Sequence, residues 1–233
     1  MTPPVTPANP SWLIMDTDVL IQVLLTKSTG LLRKLKNEYS VQPLIVEAVE
    51  AEMFRHTRRR FSNIKALYDK TLNSGTIRVL TEELLRHENG SAIGSSLFRQ
   101  AERLGQDLHN AIDRGEAFSH AAAITLGVPV MTHDRNAINK LGGNGVKFSE
   151  PLLRIYDLIA FGVQTGALTY DDCDGVRDAL LDNNEWVMQC FRNCKYSSGL
   201  PLFFPRLVDG ALPFIGSKDP IHSLDARLAI YHI

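Results

Sequence analysis

No apolar run in this 233-residue chain reaches the roughly 18 residues needed to cross a bilayer, so the sequence predicts no membrane contact. Cysteine is scarce. The three present, Cys173, Cys190 and Cys194, are an odd number and argue against a disulfide scaffold. Cys190 and Cys194 stand one helical turn apart with no second ligand pair nearby, which makes a zinc site unexpected. The opening MTPPVTPANP lacks a cationic head followed by an apolar core, so the expected location is cytoplasmic. Net charge is nearly absent as well: 25 Lys and Arg against 26 Asp and Glu leave a formal charge of -1. No global positive field advertises nucleic acid, and any polyanion site must come from local clustering. A Gly-x-Ser-x-Gly elbow and a reactive Cys-His pairing are also missing, as is any repeat at solenoid periods.

What is present alternates. Residues 1–11, rich in Pro and Thr, read as a disordered lead. LIMD (13–16) is a short buried strand, and VLIQVLLTKSTGLLRKLKNE carries helical periodicity with Gly30 as its break or cap. YSVQPLIV supplies a second strand, and VEAVEAEMFRH follows as a helix with Val46, Val49 and Met53 on one face. IKALYDKTLNSG is helical up to Gly75, and TIRVLT (76–81) is a third strand. SLFRQAERLGQDLHNAI and GEAFSHAAAITLG are two further helices, the second stopping at Gly127, and VPVMTHD is a fourth strand. KFSEPLLRIYDLIAFG and YDDCDGVRDALLDNNEWVMQCF read as two more helices. Short apolar strands buried on both faces predict an α/β fold: a central parallel sheet in a three-layer α/β/α sandwich over residues 12–185. Residues 186–233, rich in Pro, Gly and aromatics, are expected to form an irregular extension that packs on the domain or on a partner. Trp12, Trp186, Phe203 and Phe204 read as core or interface aromatics.

Ligands of parallel sheets bind beyond the carboxyl ends of the strands, and acids gather there. Asp16 and Asp18 follow the first strand, Glu47, Glu50 and Glu52 run along the next helix, Asp113 and Glu116 precede an alanine-rich helix, and Asp134 ends VMTHD. Asp113 and Glu116, three residues apart, point to one side of a helix that extends that far back. Carboxylates gathered in this way raise one another's pKa unless a divalent cation neutralises them, and hard oxygen ligands favour Mg²⁺ or Mn²⁺ over zinc. RHTRRR, with Arg55, Arg58, Arg59 and Arg60, directly follows the Glu52 turn and offers cations to a phosphate backbone, extended by Lys65 and Lys70. Phe54 and Phe61 flank it as candidate base-stacking residues.

In this order, IMDTDVLI, VEAEMF, DRGEAFSHAAAITLGVPVMTHDRNAI and GVKFSEPLLRIYDLIAFGVQTGALT resemble the PIN-domain nucleases over roughly residues 12–182. The resemblance implies a metal-dependent endoribonuclease, a hydrolase of phosphodiester bonds in RNA or another single-stranded nucleic acid, including toxins and defence effectors. It implies Asp16, Glu52, Glu116 and Asp134 as catalytic metal ligands with Asp113 in support. Asp18, Thr132 and Asn136 are its polar helpers, and Mg²⁺ or Mn²⁺ is its cofactor. Glu52 is chosen within VEAVEAE because Val49, Glu52 and Met53 match the family's spacing. The resemblance also brings a closing strand and helix within GVKFSEPLLRIYDLIAFGVQTGALT, an inhibitory or effector protein as a partner class, and homo-oligomers.

Blander readings stand beside these. Asp16 and Asp18 fit a strand-to-helix N-cap, and Asp113 with Glu116 fits a capping box. Glu47 and Glu50 fit a solvated helix face. His109, His120 and His133 read as structural imidazoles, with His120 and His133 close enough to the acids to touch substrate. Two other functions remain: a non-catalytic PIN-like module that binds RNA or protein, and a haloacid-dehalogenase-type phosphatase in which DTDVL supplies Asp16 as nucleophile. Leu20 departs from that second pattern.

Overall fold

The computed structural model describes residues 11–143, 146, 152–185, 187, 192 and 195–198, without the side chains of 135 and 136. The expectations for 1–10, for Trp186, Cys190, Cys194, Phe203 and Phe204, and for the Asn136 side chain lie outside the described residues.

Five strands form one all-parallel sheet: β1 (Ser11–Met15), β2 (Val41–Val46), β3 (Arg78–Leu80), β4 (Val130–Met131) and β5 (Leu152–Leu153). Their spatial order is β3-β2-β1-β4-β5. The chain winds outward from β1 to β3, then returns to the other side of β1 through β4, so the winding reverses between β1 and β4. β2 is buried at all six positions, as a strand covered on both faces must be. Pro43 is tolerated there because the β3 ladder begins only at Leu44.

The helices make the two outer layers. They are α1 (Thr17–Leu25), α2 (Thr29–Tyr39), α3 (Glu47–Thr57), α4 (Lys65–Asn73), α5 (Glu82–Asn89), α6 (Ser91–His109), α7 (Arg114–Leu126), α8 (Arg135–Gly143), α9 (Ile155–Gln164) and α10 (Tyr170–Asp182). On one side α7 packs on β1, β2 and β4, backed by α6 and α3; on the other, α2 lies on β2 beside α9, with α1 against α9 and α10. Small residues set the α7 distance: Ala117, Ala121, Ala122 and Ala123 are buried against the sheet. A Cβ on Gly105 of α6 would stand 2.8 Å from the Phe118 ring, so glycine there lets the two helices touch. Gly127, at φ +65°, ends α7 in a left-handed cap as expected.

The structure departs from the expected elements in five places. The first long helix is two, and the break lies at 26–28, where Thr26 Oγ1 donates back to the Gln22 carbonyl at 2.8 Å and Lys27 adopts φ +55°. Gly30 sits inside the first turn of α2. Leu152 and Leu153, expected within a helix, instead pair with β4, and α9 starts at Ile155 behind a box in which the Asp157 carboxylate accepts from the Arg154 N–H at 2.7 Å. α10 stops at Asp182, where Asn184 turns left-handed at φ +55°. α5, capped by Thr81 Oγ1 accepting from the Leu84 N–H at 3.1 Å, is too short to stand out in sequence, with Leu84 and Leu85 its buried residues. Ser11 belongs to β1. Past residue 185, Val187 and Tyr196 join the hydrophobic core, so these two positions pack on the domain.

Candidate active cleft

The parallel strands bring their carboxyl ends to one edge, and the cleft opens there at the point where the winding reverses. It has a volume of about 550 Å³, and Asp16, Asp18, Glu52, Asp113, Glu116 and Asp134 all line it. Six acids from four separate stretches of sequence are therefore brought together.

Asp16 leaves β1 and caps α1: its Oδ1 accepts from the Thr17 N–H at 2.7 Å, and its Oδ2 accepts from Thr132 Oγ1 at 3.2 Å. Only 2% of the residue is exposed. Burial first, then the Asp18 charge, pushes its pKa up to about 7, against the pull of the Thr17 bond. The capping and cleft-lining readings of Asp16 are both correct, because the cap turns the carboxylate toward the crevice. Asp18 is exposed at the mouth; partial desolvation within the cleft and then the Asp134 charge push its carboxyl upward.

Glu116 is buried on the first turn of α7. Burial, then the Asp16 charge and a hydrogen bond with Asp134, push its pKa up to about 9. A hydrogen bond between two carboxyl groups needs a proton on one of them, so this pair holds an acid proton in the absence of a cation. Asp134 also caps α8, its Oδ1 accepting from the Ala137 N–H at 3.0 Å. Thr132 links the strands: besides donating to Asp16, its hydroxyl accepts from the Asp134 N–H at 3.3 Å.

Glu52 is the glutamate of its run that faces the cleft. Its Oε2 accepts from Thr17 Oγ1 at 2.5 Å and its Oε1 from the Gly115 N–H at 3.0 Å, so one carboxylate ties the starts of α1 and α7 together. A Cβ on Gly115 would lie 2.5 Å from Glu52 Oε2, so any larger residue there would force the Glu52 carboxylate to shift. Asp113 occupies the N-cap position of α7 but makes no capping bond with its side chain; the expected capping box is absent, and Glu52 serves the helix start instead. Glu47 lines a different, small cavity with Glu102, and Glu50 does not line the cleft.

The arginine run divides. Arg55 and Arg59 line the cleft, whereas Arg58 stacks on Phe54 at 3.9 Å, and Arg60 lies over Phe61 and pairs with Glu185 at 3.3 Å. Lys65 pairs with Asp69 on its own helix at 2.5 Å. Phe61 is buried and unable to stack on a base; Phe54 is 51% exposed. Four cleft residues escaped the sequence reading as cleft residues: Thr17, His56, His109 and Arg114. Arg114 follows Asp113 directly, and its place beside the acids was the available signal. His120 and His133 are held neutral by burial, with pKa values lowered to about 4 and about 3, which agrees with structural imidazoles.

Among the described residues, no three carboxylate, imidazole or thiol side chains already stand in ligand geometry about one point. The acids bond to the protein and to each other instead. The donor set nevertheless fits a hard divalent cation: it is all carboxylate oxygen, burial and then neighbouring charge raise the proton affinity of Asp16 and Glu116, and a cation would take the place of the proton between Glu116 and Asp134. No helix among the described residues is long and apolar enough to cross a membrane.

The fold and cleft define a doubly wound parallel α/β domain with an acidic crevice at its switch point. No family model matches the chain, and no curated protein or solved structure matches it.

Proposed function

We propose that the chain is a metal-dependent nuclease of the PIN-domain type that hydrolyses phosphodiester bonds of RNA. One observation carries the reading: Asp16, Glu116 and Asp134, from three elements, meet at the switch-point crevice, where burial and neighbouring charge raise the affinity of Asp16 and Glu116 for positive charge. The cationic rim of Arg55, Arg59 and Arg114 suits an anionic substrate. The starts of α1, α7 and α8 also lie at the cleft and add positive dipole ends.

In this reading Asp16, Glu116 and Asp134 hold Mg²⁺ or Mn²⁺, with Asp18 and Asp113 at the mouth. The cation supplies charge neutralisation at the phosphate and acidifies water. Thr132 keeps the Asp16 carboxylate turned inward, Glu52 fixes the start of α7 beneath Glu116, and Arg55, Arg59 and Arg114 seat the backbone of the substrate.

The test is cleavage of a labelled single-stranded RNA with Mn²⁺, comparing the native chain with Asp16→Asn and Asp134→Asn. Both variants are expected to lose cleavage and to bind Mn²⁺ weakly while remaining folded. Full activity in Asp16→Asn removes that residue from the chemistry. Negligible Mn²⁺ binding by the native chain together with no product favours the non-catalytic module, and a trapped phospho-aspartate at Asp16 favours the phosphatase.

A further inference from the structure

Two buried tyrosines stand behind the Thr132–Asp134 turn. Tyr156, in the first turn of α9, meets the His133 ring edge-on with centroids 6.3 Å apart, and Tyr196 meets Tyr156 in the same manner at 5.7 Å. Neither tyrosine is exposed to solvent. Edge-to-face rings at such distances attract and fix each other's orientation. Tyr156 belongs to the α/β domain, whereas Tyr196 lies beyond α10 in a short helical turn at 196–198.

That turn has a built seat. The Ser197 N–H and hydroxyl donate to the two oxygens of Asp174 on α10 at 2.9 and 2.7 Å, and Lys195 Nζ lies 4.0 Å from the same carboxylate. Arg177, on the same helix, donates to the Arg192 carbonyl at 2.8 Å. The acid-bearing turn itself is gripped at its main chain by Arg154, a buried arginine that donates to the His133 carbonyl at 3.3 Å. The tyrosine pair adds a grip on the His133 side chain, one residue before Asp134.

We propose that residues 195–198 act as an internal clamp on this turn, with Tyr196 pressing Tyr156 against His133 and so fixing where Asp134 projects into the cleft. Tyr196 does not line the cleft and is a positioning residue. Its leverage comes from the bonds downstream: Asp134 pairs with Glu116, and through Thr132 the turn is tied to Asp16. A turn that slackens therefore moves acid away from α7 and β1 together. The use of this clamp in a reaction rests on the nuclease reading; its effect on the turn does not.

Hydrogen–deuterium exchange of the full chain, free of metal and nucleic acid, tests the clamp. Tyr196→Ala is expected to speed exchange of the amides at 132–138 about tenfold and to leave those of β2 unchanged, since the ease of a local opening depends on the packing immediately around it. Tyr196→Phe, which keeps the ring, is expected to behave as the native chain. Asp174→Ala removes the seat without opening a core cavity and is expected to give the same local acceleration; it decides the matter if Tyr196→Ala fails to fold. Unchanged exchange at 132–138 overturns the clamp. So does acceleration shared equally by β2, which reduces Tyr196 to general core filling, and so does Tyr196→Phe accelerating as much as the alanine variant. RNA cleavage is read separately: where the native chain cuts, both clamp variants lower kcat and leave KM unchanged. A chain that responds locally in exchange yet cuts nothing refutes the nuclease reading and leaves the clamp standing.

Discussion

Replacing Asp16 by asparagine should make the metal-free protein more stable at pH 8, although it removes a charged group from the centre of the cleft. Burial and Asp18 raise this carboxyl from 3.8 to about 7. A rise of about 3 pH units at about 1.36 kcal/mol each is about 4 kcal/mol of linkage. The folded chain binds that proton more tightly than the unfolded chain does. The associated stability is therefore complete below about pH 4, shrinks as pH climbs, and is gone above about pH 7. Asparagine does not titrate, so the variant escapes the loss. Its oxygen can still accept from the Thr17 N–H, and its NH₂ can donate to the Thr132 hydroxyl, so both bonds of the native carboxylate have replacements. Charge-assisted bonds are the stronger ones, and allowing for their loss leaves a net gain of about 2 kcal/mol at pH 8. Urea unfolding in EDTA at pH 5 and pH 8 measures it: the gain should be largest at pH 8 and at least halve at pH 5. A gain independent of pH, or a variant less stable at pH 8 than at pH 5 relative to the native chain, would refute the account of a desolvated, mutually repelling cluster.

The remaining predictions concern neighbouring parts of the cleft. Saturating Mn²⁺ at about 100 times its Kd should raise the stability of the native chain by about 2.7 kcal/mol at pH 8 and should do far less for Asp16→Asn, as thermal melts with and without the ion will show. Gly115→Ala drives a methyl into the Glu52 carboxylate and should lower stability by about 1–3 kcal/mol, read by the same melts; an unchanged midpoint would mean that Glu52 is free to move aside. Arg55→Ala with Arg59→Ala should weaken RNA binding and reduce the log–log salt slope by about 1.4, the value for two phosphate contacts on a single strand. Arg58→Ala with Arg60→Ala, whose guanidinium groups are engaged by Phe54, Phe61 and Glu185, should change that slope much less in the same fluorescence titration.

The architecture was legible because the strands are short, apolar and buried on both faces, a pattern that leaves little choice but a covered parallel sheet. The acids Asp16 and Asp134 were legible for a related reason: they sit where a buried strand stops and a helix must be capped. The role of Glu52 was only half visible. Spacing selected it over Glu47 and Glu50, but its bonds to Thr17 and Gly115 cross 35 and 63 residues, and no local pattern announces them. The arginine run shows the opposite limit. Consecutive residues on a helix end point in different directions, so a single basic stretch resolved into two cleft residues and two that serve their own neighbours. α5 and the break at 26–28 were hidden because caps and a left-handed residue, rather than periodicity, determine them.

The hydrogen bond from Thr132 to Asp16 spans 116 residues, because β4 inserts beside the very first strand. During synthesis, then, Asp16 waits without its counterpart until Thr132, 116 residues further along, has left the ribosome. A chain interrupted before β4 lacks Thr132 and Asp134 and therefore cannot close the crevice around Asp16.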